Sequence, residues 1–288
     1  MKDRLVAELP LDRIPGRMIT AAAGRRLAHE AQRHLQAGMP QLAVLAFDHV
    51  GRAVAQWGRY EREELDLLMQ AAAPLIAPGG VCLDIGANVG NHALFFAAHF
   101  GEVLAFEPNP RTFALLQFNA ALAANVRCFN VGLSDAAGNA QLTVPADNIG
   151  MATLHGGTTG GPGGASVACR LERLDDLAEL QDRRVALLKI DVEGHESAVL
   201  RGAAGLLRRD RPLVVFEQAA SDIANGTSPA LELLRQAGYS RVWVLEAHPA
   251  GGPRWLRLLR RLLFGEGLRL VQTDRLAARF HSMVVALP

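Results

Sequence analysis

The sequence has few of the features that mark a secreted or membrane-spanning protein. Of its 288 residues only three are cysteine, and Cys82, Cys128 and Cys169 stand far apart in apolar surroundings. They predict reduced core thiols, because a disulfide framework or a metal knuckle needs closely patterned cysteines, and they favour a cytoplasmic location. No apolar run approaches the roughly 18 residues of a membrane span, and charges and prolines interrupt the first 17 residues. We therefore expect neither a transmembrane segment nor secretion.

The chain also lacks an excess of either charge. Thirty Lys and Arg against 29 Asp and Glu leave a net charge of +1. A dedicated nucleic-acid-binding surface needs clustered, uncompensated cations, so we expect no nucleic-acid partner. Lysine itself is scarce, since Lys2 and Lys189 are the only two. Half of the residues are apolar, which suffices for a packed core and excludes a disordered or collagen-like chain.

Two regions with different patterns follow one another along the chain. Residues 17–73 are rich in Ala, Leu, Arg and Gln at helical spacing, which predicts an N-terminal helical cap over residues 1–75. From residue 76 short apolar runs alternate with amphipathic helices, as in βαβ units. We predict an α/β domain over residues 76–288, with a seven-stranded, mostly parallel sheet and helices on both faces. Insertions are expected at about 141–172 and 247–280.

The apolar runs and capping residues give the bounds of the predicted elements. The predicted strands are Val81–Asp84, Glu102–Glu107, Val126–Asn130, Ala186–Ile190, Leu213–Glu217, Arg241–Leu245 and Ser282–Ala286. The predicted helices are Asn91–His99, Arg111–Ala123, His195–Arg201 and Pro229–Ala237. Between the third and fourth strands, Gln141–Val144 and Val167–Arg170 predict a hairpin-type excursion from the sheet.

Two segments have unusual composition. Residues 155–166 are dense in glycine, which indicates either a flexible loop or a mobile lid, and we favour the loop. Residues 253–264 form an amphipathic pattern with Trp255 and leucines on one side and arginines on the other. This predicted helix either docks on its own domain, which we favour, or makes a peripheral contact with an anionic membrane or a lipid-linked substrate.

The strongest motif is VCLDIGANVGNHALFF, which begins at Val81. A buried strand ends in Asp84, a turn contains Gly86, Asn88 and Gly90, and a helix follows at once. Glycine has no Cβ and asparagine tolerates left-handed dihedrals, so this turn can bend sharply and let a ligand approach the backbone. The turn would lie in the crevice beyond the strand ends, where doubly wound sheets bind nucleotides.

An acidic residue at the end of the next strand indicates which kind of nucleotide the turn would bind. Glu107 follows Gly90 by 17 residues and could accept hydrogen bonds from both hydroxyls of a ribose. A dinucleotide fingerprint would need a third glycine where Val89 or Asn91 stands, and a phosphate-binding loop would need Lys and Ser or Thr. The pattern therefore favours an adenosyl ligand over NAD or ATP, and over an ordinary strand-to-helix turn.

The turn after the third strand contains two more candidates. Ser134 and Asp135 would lie at the same rim of the sheet, where a side chain can meet the amino edge of an adenine. A turn in which Asp135 bonds its own backbone is an equal alternative.

The second motif is VALLKIDVEGHESAVLRG, which begins at Val185. Residues two apart share one face of a strand, so Lys189 and Asp191 project together, with Glu193 beyond the strand end and His195 at the start of a helix. Such clusters either tune catalytic groups or form a buried ion pair that positions a loop, and we favour the former.

The motifs DIGANVGNH, FEPNP, VGLSDAAG, RLDDL and KIDVEGHE, in this order, resemble the FkbM-type methyltransferase family over roughly residues 58–288. The resemblance implies a class I Rossmann-like fold and an S-adenosylmethionine-dependent O-methyltransferase acting on a hydroxyl of a sugar, glycan, polyketide or related secondary metabolite. The residues that match the cofactor sites of the family are Asp84, Gly86, Asn88, Gly90, Glu107, Ser134 and Asp135. Those that match its signature are Lys189, Asp191, Glu193 and Glu196. The segment 148–150 resembles its substrate-side loop.

Methyl transfer needs alignment of the acceptor oxygen and, for an alcohol, a base. Asp191 or His195 is the candidate base, with Lys189 and Glu193 completing the catalytic cluster. A divalent ion is not expected, but Asp191 and Glu217, as oxygen ligands at neighbouring strand ends, are the alternative that would hold one.

Three other functions are alternatives to O-methyl transfer. A nucleic-acid methyltransferase would show an Asn/Asp-Pro-Pro-aromatic tetrad, which is absent. An NAD-dependent epimerase or reductase would show Tyr-x-x-x-Lys, and neither Tyr60 nor Tyr239 has a lysine four residues on. A non-catalytic module that binds the cofactor, and a partner or membrane through residues 253–264, stays open as the alternative.

Overall fold

The structure is a computed structural model, and it describes residues 14–46, 48–77, 79–145, 153–154, 165–248 and 267–288. The segment 148–150, nearly all of the glycine-rich stretch and the amphipathic segment 253–264 lie outside the described residues. The described helices are α1 (Ile14–Gln36), α2 (His49–Trp57), α3 (Arg62–Ala72), α4 (Asn91–Phe96), α5 (Pro110–Ala120), α6 (Glu196–Gly202), α7 (Ala204–Asp210) and α8 (Pro229–Gln236). The strands are β1 (Val81–Ile85), β2 (Glu102–Phe106), β3 (Val126–Phe129), β4 (Gly132–Leu133), β5 (Gly138–Val144), β6 (Ala165–Glu172), β7 (Val185–Ile190), β8 (Leu213–Gln218), β9 (Arg241–His248), β10 (Gly267–Gln272) and β11 (His281–Leu287).

The main sheet has the strand order β10-β9-β11-β8-β7-β1-β2-β3. Its strands β3, β2, β1, β7 and β8 are parallel, while β11 runs antiparallel to both β8 and β9 and β10 runs antiparallel to β9. Two hydrophobic clusters cover its two faces, one with α6, α7 and α8 and the other with α3, α4 and α5. The predicted α/β class, with a mostly parallel sheet between helical layers, is confirmed.

The predicted number of strands was wrong, because the sheet has eight strands in the described part of the chain and not seven. The additional strand is β10, within the region predicted as an insertion at about 247–280. It pairs with β9 at the edge of the sheet, where Arg269 faces solvent. An edge strand tolerates such a charge, so its sequence lacks the continuous apolar run of a central strand.

A second, three-stranded sheet has the order β4-β6-β5. Strands β5 and β6 pair antiparallel, with Gln141 opposite Ala168 and Val144 opposite Ala165. The predicted hairpin-type excursion is therefore confirmed. Strand β4 joins this sheet directly after β3, so the small sheet borders the carboxyl end of the main one.

The N-terminal helices differ in how they pack. Helix α1 is exposed over most of its length, whereas Leu65, Leu68 and Met69 of α3 are buried in the cluster that covers one face of the main sheet. The side chain of Asn119 in α5 donates to the backbone oxygen of Ala43 at 2.9 Å, which fixes the segment before α2. Helix α3 thus lies within the core, although the predicted domain boundary near residue 75 stays a prediction. No helix among the described residues is both long and apolar enough to span a bilayer, and all three cysteines are free.

Candidate functional site

The order of the strands fixes where a ligand can bind. The chain continues from β1 to β2 and β3 on one side of the sheet, and places β7 and β8 on the other side. The loops that follow β1 and β7 therefore leave the sheet in opposite directions, and a crevice opens between their carboxyl ends. Both sequence motifs end at this crevice.

The loop after β1 has the backbone that its sequence predicts. Gly86, Asn88 and Gly90 all have left-handed backbones, with φ of 77°, 51° and 89°. A Cβ on Gly86 would collide with the carbonyl oxygen of Asp191. Glycine is therefore required here, because the loop after β1 passes directly against the end of β7.

Glu107 reaches into the same crevice from the end of β2. Its side chain is buried. Its Oε2 accepts a hydrogen bond from the backbone N–H of Asn88 at 3.0 Å, and its Oε1 accepts one from the backbone N–H of Asn109 at 2.8 Å. Burial raises the pKa of Glu107 to about 7, although the two backbone donors act in the opposite direction. Each carboxylate oxygen keeps a further lone pair, so Glu107 can accept two more hydrogen bonds.

A cleft lies in front of Glu107. Its polar lining includes Asn88, Glu107, Asp191 and Glu193. Its apolar lining consists largely of Phe106, Val131, Leu133, Leu142 and Leu154. A cleft that combines apolar walls with a few convergent polar groups is typical of a small-molecule site.

Lys189 connects the two motifs beneath this cleft. Its Nζ lies 3.0 Å from Oδ1 of Asp84 and 3.2 Å from Oδ2 of Asp191, and it donates to the backbone oxygen of Gly86 at 3.4 Å. Burial alone would lower the pKa of Lys189, but the two carboxylates outweigh this and raise it. Asp84 is fully buried, so it holds the lysine beneath the loop and does not line the cleft. Gly90 packs against α5 and likewise supports the loop.

Carboxylates crowd the rim on the side of β7 and β8. Burial raises the pKa of Glu217 to about 9, and the charges of Asp191 and Glu61 add to this effect. Burial also raises the pKa of Glu193, whose backbone is left-handed with a φ of 46°. The environment therefore disfavours several negative charges at once.

His195 contacts the turn that follows β4. Its Nε2 lies 2.9 Å from Oγ of Ser134, which in turn donates to Oδ1 of Asp135 at 3.2 Å. The guanidinium of Arg201 donates to Oδ2 of Asp135 at 2.8 Å and lowers its pKa. The structure thus brings His195, Ser134 and Asp135 together at the start of α6. Whether Asp135 contacts an adenine stays a prediction.

Two residues beside the crevice, Glu61 and His92, were not predicted from the sequence. His92 is buried, and its Nε2 lies 3.2 Å from Oε2 of Glu61. Burial alone would raise the pKa of Glu61, but His92, Tyr60 and Lys189 outweigh it and lower that pKa. His92 follows the glycine turn directly and could have been noticed there, whereas Glu61 lies in no motif and is 31 positions earlier.

A second, smaller cavity lies next to the cleft. Glu61, His92, Lys189 and Glu217 line it, and Asp191 borders both cavities. Within the described ranges, no group of three or more His, Cys, Asp or Glu side chains is arranged to hold a metal ion. The alternative metal pair Asp191 and Glu217 therefore has no third protein ligand in that part of the chain.

Comparison with known proteins places this geometry in a family. The model of the methyltransferase FkbM domain matches residues 84–241, more than half of the chain. Hexuronic acid methyltransferase AglP of Haloferax volcanii is 31% identical over 166 residues, which is 57% of this chain and 65% of that protein. The 31-O-demethyl-FK506 methyltransferase FkbM of Streptomyces tacrolimicus is 32% identical over 200 residues, covering 58% of this chain and 75% of that protein. The 2-O-methyltransferase NoeI of Sinorhizobium fredii is 26% identical over 221 residues, covering 71% and 88%. The match to AglP spans just under two thirds of the length of that protein.

Proposed function

The chain belongs to the FkbM methyltransferase family, and on that basis we propose that it is an S-adenosylmethionine-dependent O-methyltransferase with a small-molecule or glycan acceptor. The acceptor group would be a hydroxyl of a sugar, a glycan or a secondary metabolite. The names of two relatives, a 31-O-demethyl-FK506 methyltransferase and a 2-O-methyltransferase, support oxygen as the acceptor atom. A third relative is named for a hexuronic acid, which supports a sugar.

The observation that carries this proposal is the buried carboxylate of Glu107. An acid at the end of β2 with two unused lone pairs is suited to both hydroxyls of a ribose, which would satisfy a group that is otherwise costly to bury. The neighbouring apolar walls, among them Phe106 and Leu133, would take an adenine. The residues present therefore fit an adenosyl cofactor.

The other predicted cofactor residues have two kinds of role in this proposal. Gly86 and Asn88 line the cleft and would contact the cofactor, whereas Asp84 and Gly90 hold their loop in place. We also assign Ser134 and Asp135 to the adenine side. They directly follow β4, and its residues Gly132 and Leu133 line the cleft.

When bound, S-adenosylmethionine supplies a methyl group activated by its sulfonium sulfur. Asp191 borders both cavities, so its carboxylate can hold the acceptor hydroxyl and take the proton as the oxygen attacks. Lys189, held by Asp84, would keep that carboxylate in place. Glu193 lines the cofactor side of the same rim. His195 contacts Ser134, so we assign it a positioning role and not that of the base.

Calorimetry with S-adenosylhomocysteine tests the cofactor site. The wild-type protein is expected to bind it, and Glu107→Gln to bind at least about tenfold more weakly, because a hydrogen bond to a charged group contributes about 1.5–3 kcal/mol. A protonated carboxyl group carries a hydrogen on one oxygen. Only the ionised carboxylate of Glu107 can therefore accept hydrogen bonds from both ribose hydroxyls. Wild-type affinity should therefore fall as the pH drops below about 7, the pKa of Glu107, while the variant shows no such dependence. A wild-type protein that gives no binding heat would refute the assignment.

The identity of the base is tested by turnover. Release of S-adenosylhomocysteine in the presence of hydroxylated glycans and polyketides would be followed for Asp191→Asn and His195→Ala. We expect the first variant to lose 10²- to 10⁴-fold in kcat, the usual contribution of a general base, with cofactor affinity kept within about threefold. The second should lose less than about tenfold. Full activity in Asp191→Asn would remove Asp191 as the base, and cofactor binding without turnover on any acceptor would favour the non-catalytic module.

A further inference from the structure

One buried hydroxyl group in the wall of the cleft has no hydrogen-bond partner. Thr112 lies in the first turn of α5, is only 2% exposed and lines the same cleft as Asn88 and Glu107. Its Oγ1 is buried and forms no hydrogen bond with any described residue. Buried hydroxyls are normally hydrogen-bonded, because a buried polar atom without a partner costs free energy. We therefore expect this hydroxyl to meet a polar group of a ligand.

Thr112 does not make the hydrogen bond that is usual for a threonine in a helix. Such a hydroxyl normally donates to the backbone oxygen three or four residues earlier. For Thr112 these are the oxygens of Asn109 and Pro108. The first accepts from the backbone N–H of Phe113 at 2.8 Å, and the second accepts from the side chain of Asn130 at 3.2 Å. Thr112 bonds to neither of these described groups, so its proton can be donated to a ligand.

The start of α5 holds Thr112 in a fixed position relative to Glu107. Asn109 is the N-cap of this helix, and its Oδ1 accepts from the backbone N–H of Arg111 at 3.1 Å. The backbone N–H of Asn109 in turn donates to Oε1 of Glu107 at 2.8 Å. Thr112 follows within one turn, and side chains in a helix lean toward its N-terminus. The hydroxyl and the carboxylate therefore enter the wall of the cleft from one connected element.

We propose that Thr112 is a further cofactor-binding residue, whose hydroxyl donates a hydrogen bond to a ribose hydroxyl oxygen of S-adenosylmethionine. This inference rests on the proposed function and makes its cofactor site more specific. A ribose hydroxyl that donates to Glu107 still has two lone pairs on its oxygen, which a second donor can use. The backbone N–H groups of Asn88 and Asn109 are already bonded to Glu107. Thr112 supplies the donor that complements the two acceptor oxygens of the carboxylate.

Calorimetry with S-adenosylhomocysteine, which has the same ribose, tests this contact in the full chain. Thr112→Val keeps the shape of the side chain without the hydroxyl, and should bind about three- to tenfold more weakly than the wild type. Thr112→Ser keeps the hydroxyl and should bind within about twofold of the wild type. The matched control is Thr20→Val, since the hydroxyl of Thr20 in the exposed helix α1 already donates to the backbone oxygen of Gly16 at 2.9 Å. It should bind like the wild type. Equal affinities of the wild type and Thr112→Val, or an equal loss in Thr112→Ser, would overturn the proposal.

The stability of the ligand-free protein separates a ligand contact from a role in folding. Because the hydroxyl of Thr112 has no partner among the described residues, Thr112→Val should unfold at the same temperature as the wild type or at a higher one. A threonine that only supports the fold would lose stability and affinity together. A fall in the unfolding temperature of more than about 3 °C would therefore contradict the proposal.

Analogues of S-adenosylhomocysteine that lack the 2′- or the 3′-hydroxyl identify the group that Thr112 meets. For the analogue that lacks the contacted hydroxyl, the wild type and Thr112→Val should have equal affinities, because the interaction is already removed. An effect of Thr112→Val that is equally large with the parent compound and both analogues would overturn the proposal. Failure of S-adenosylhomocysteine to bind the wild type would instead refute the proposed function on which this contact rests.

Discussion

Replacement of Glu217 by glutamine should stabilise the protein, and by an amount that depends on pH. In the folded protein burial and the nearby carboxylates raise the pKa of Glu217 from its ordinary 4.5 to about 9. Glutamine keeps the shape of the protonated side chain and has no charge to bury. The substitution therefore removes a cost that the wild-type protein bears near neutral pH.

The sign and size follow from proton linkage. Because the pKa of Glu217 is raised on folding, its contribution to stability is complete below 4.5 and is lost as the pH rises toward about 9. Each pH unit in this range corresponds to 1.36 kcal/mol, so the cost reaches at most about 4 kcal/mol at pH 7.5. Glu217 is partly exposed, and solvent screening reduces this ceiling to an expected gain of about 1–3 kcal/mol.

Urea unfolding of the wild type, Glu217→Gln and the control Glu63→Gln measures this effect. The difference between Glu217→Gln and the wild type should be close to zero at pH 4.5, grow up to about pH 9 and then stay constant. The exposed control should differ from the wild type by less than about 0.5 kcal/mol throughout. A gain that is the same at pH 4.5 and pH 8.5, or a loss of stability at pH 8.5, would refute the reasoning.

Two further substitutions test the support beneath the cleft. Lys189→Met should lower the free energy of unfolding by about 3–5 kcal/mol, because it leaves the fully buried carboxylate of Asp84 without its partner. Urea unfolding measures this loss, and a loss below about 1 kcal/mol would show that the pair is not needed for stability. Gly86→Ala should abolish binding of S-adenosylhomocysteine in calorimetry, because its Cβ would collide with the carbonyl oxygen of Asp191. Gly138→Ala, where a Cβ meets nothing within 4 Å, should bind normally, and equal affinities of the two variants would disprove the steric argument.

Local patterns predicted the central part of the fold well. The strands β1, β2, β7 and β8 are short, largely apolar runs, and their bounds differ by at most one residue from those expected. The glycine turn after β1 was recognisable because left-handed backbone needs particular residues. Strand β10 was missed because an edge strand has no such apolar signature, and α4 ends at Phe96, three residues before the predicted end.

The candidate site was less predictable where it depends on contacts between distant residues. Sequence spacing did not predict the contact of His195, which follows the left-handed turn at Glu193 and Gly194, with Ser134, which lies 61 positions earlier. Glu61 approaches His92 only because α3 packs against the sheet. No local pattern records a contact across 31 residues, so this side of the site could not be found before the fold was known.

The second cavity takes part of its wall from residues outside the matched domain. Asp84, Glu107 and Asp191 lie within residues 84–241, the span that matches the family domain. Glu61, Leu65, Leu68 and Met283, which line part of the second cavity, lie outside it. Exchange of the flanking segments would therefore be expected to alter which molecule the proposed enzyme methylates, while the residues proposed to bind the donor stay in place. Chimeras that join the N-terminal helices of one homologue to the matched domain of another would be a natural starting point for redirecting such enzymes.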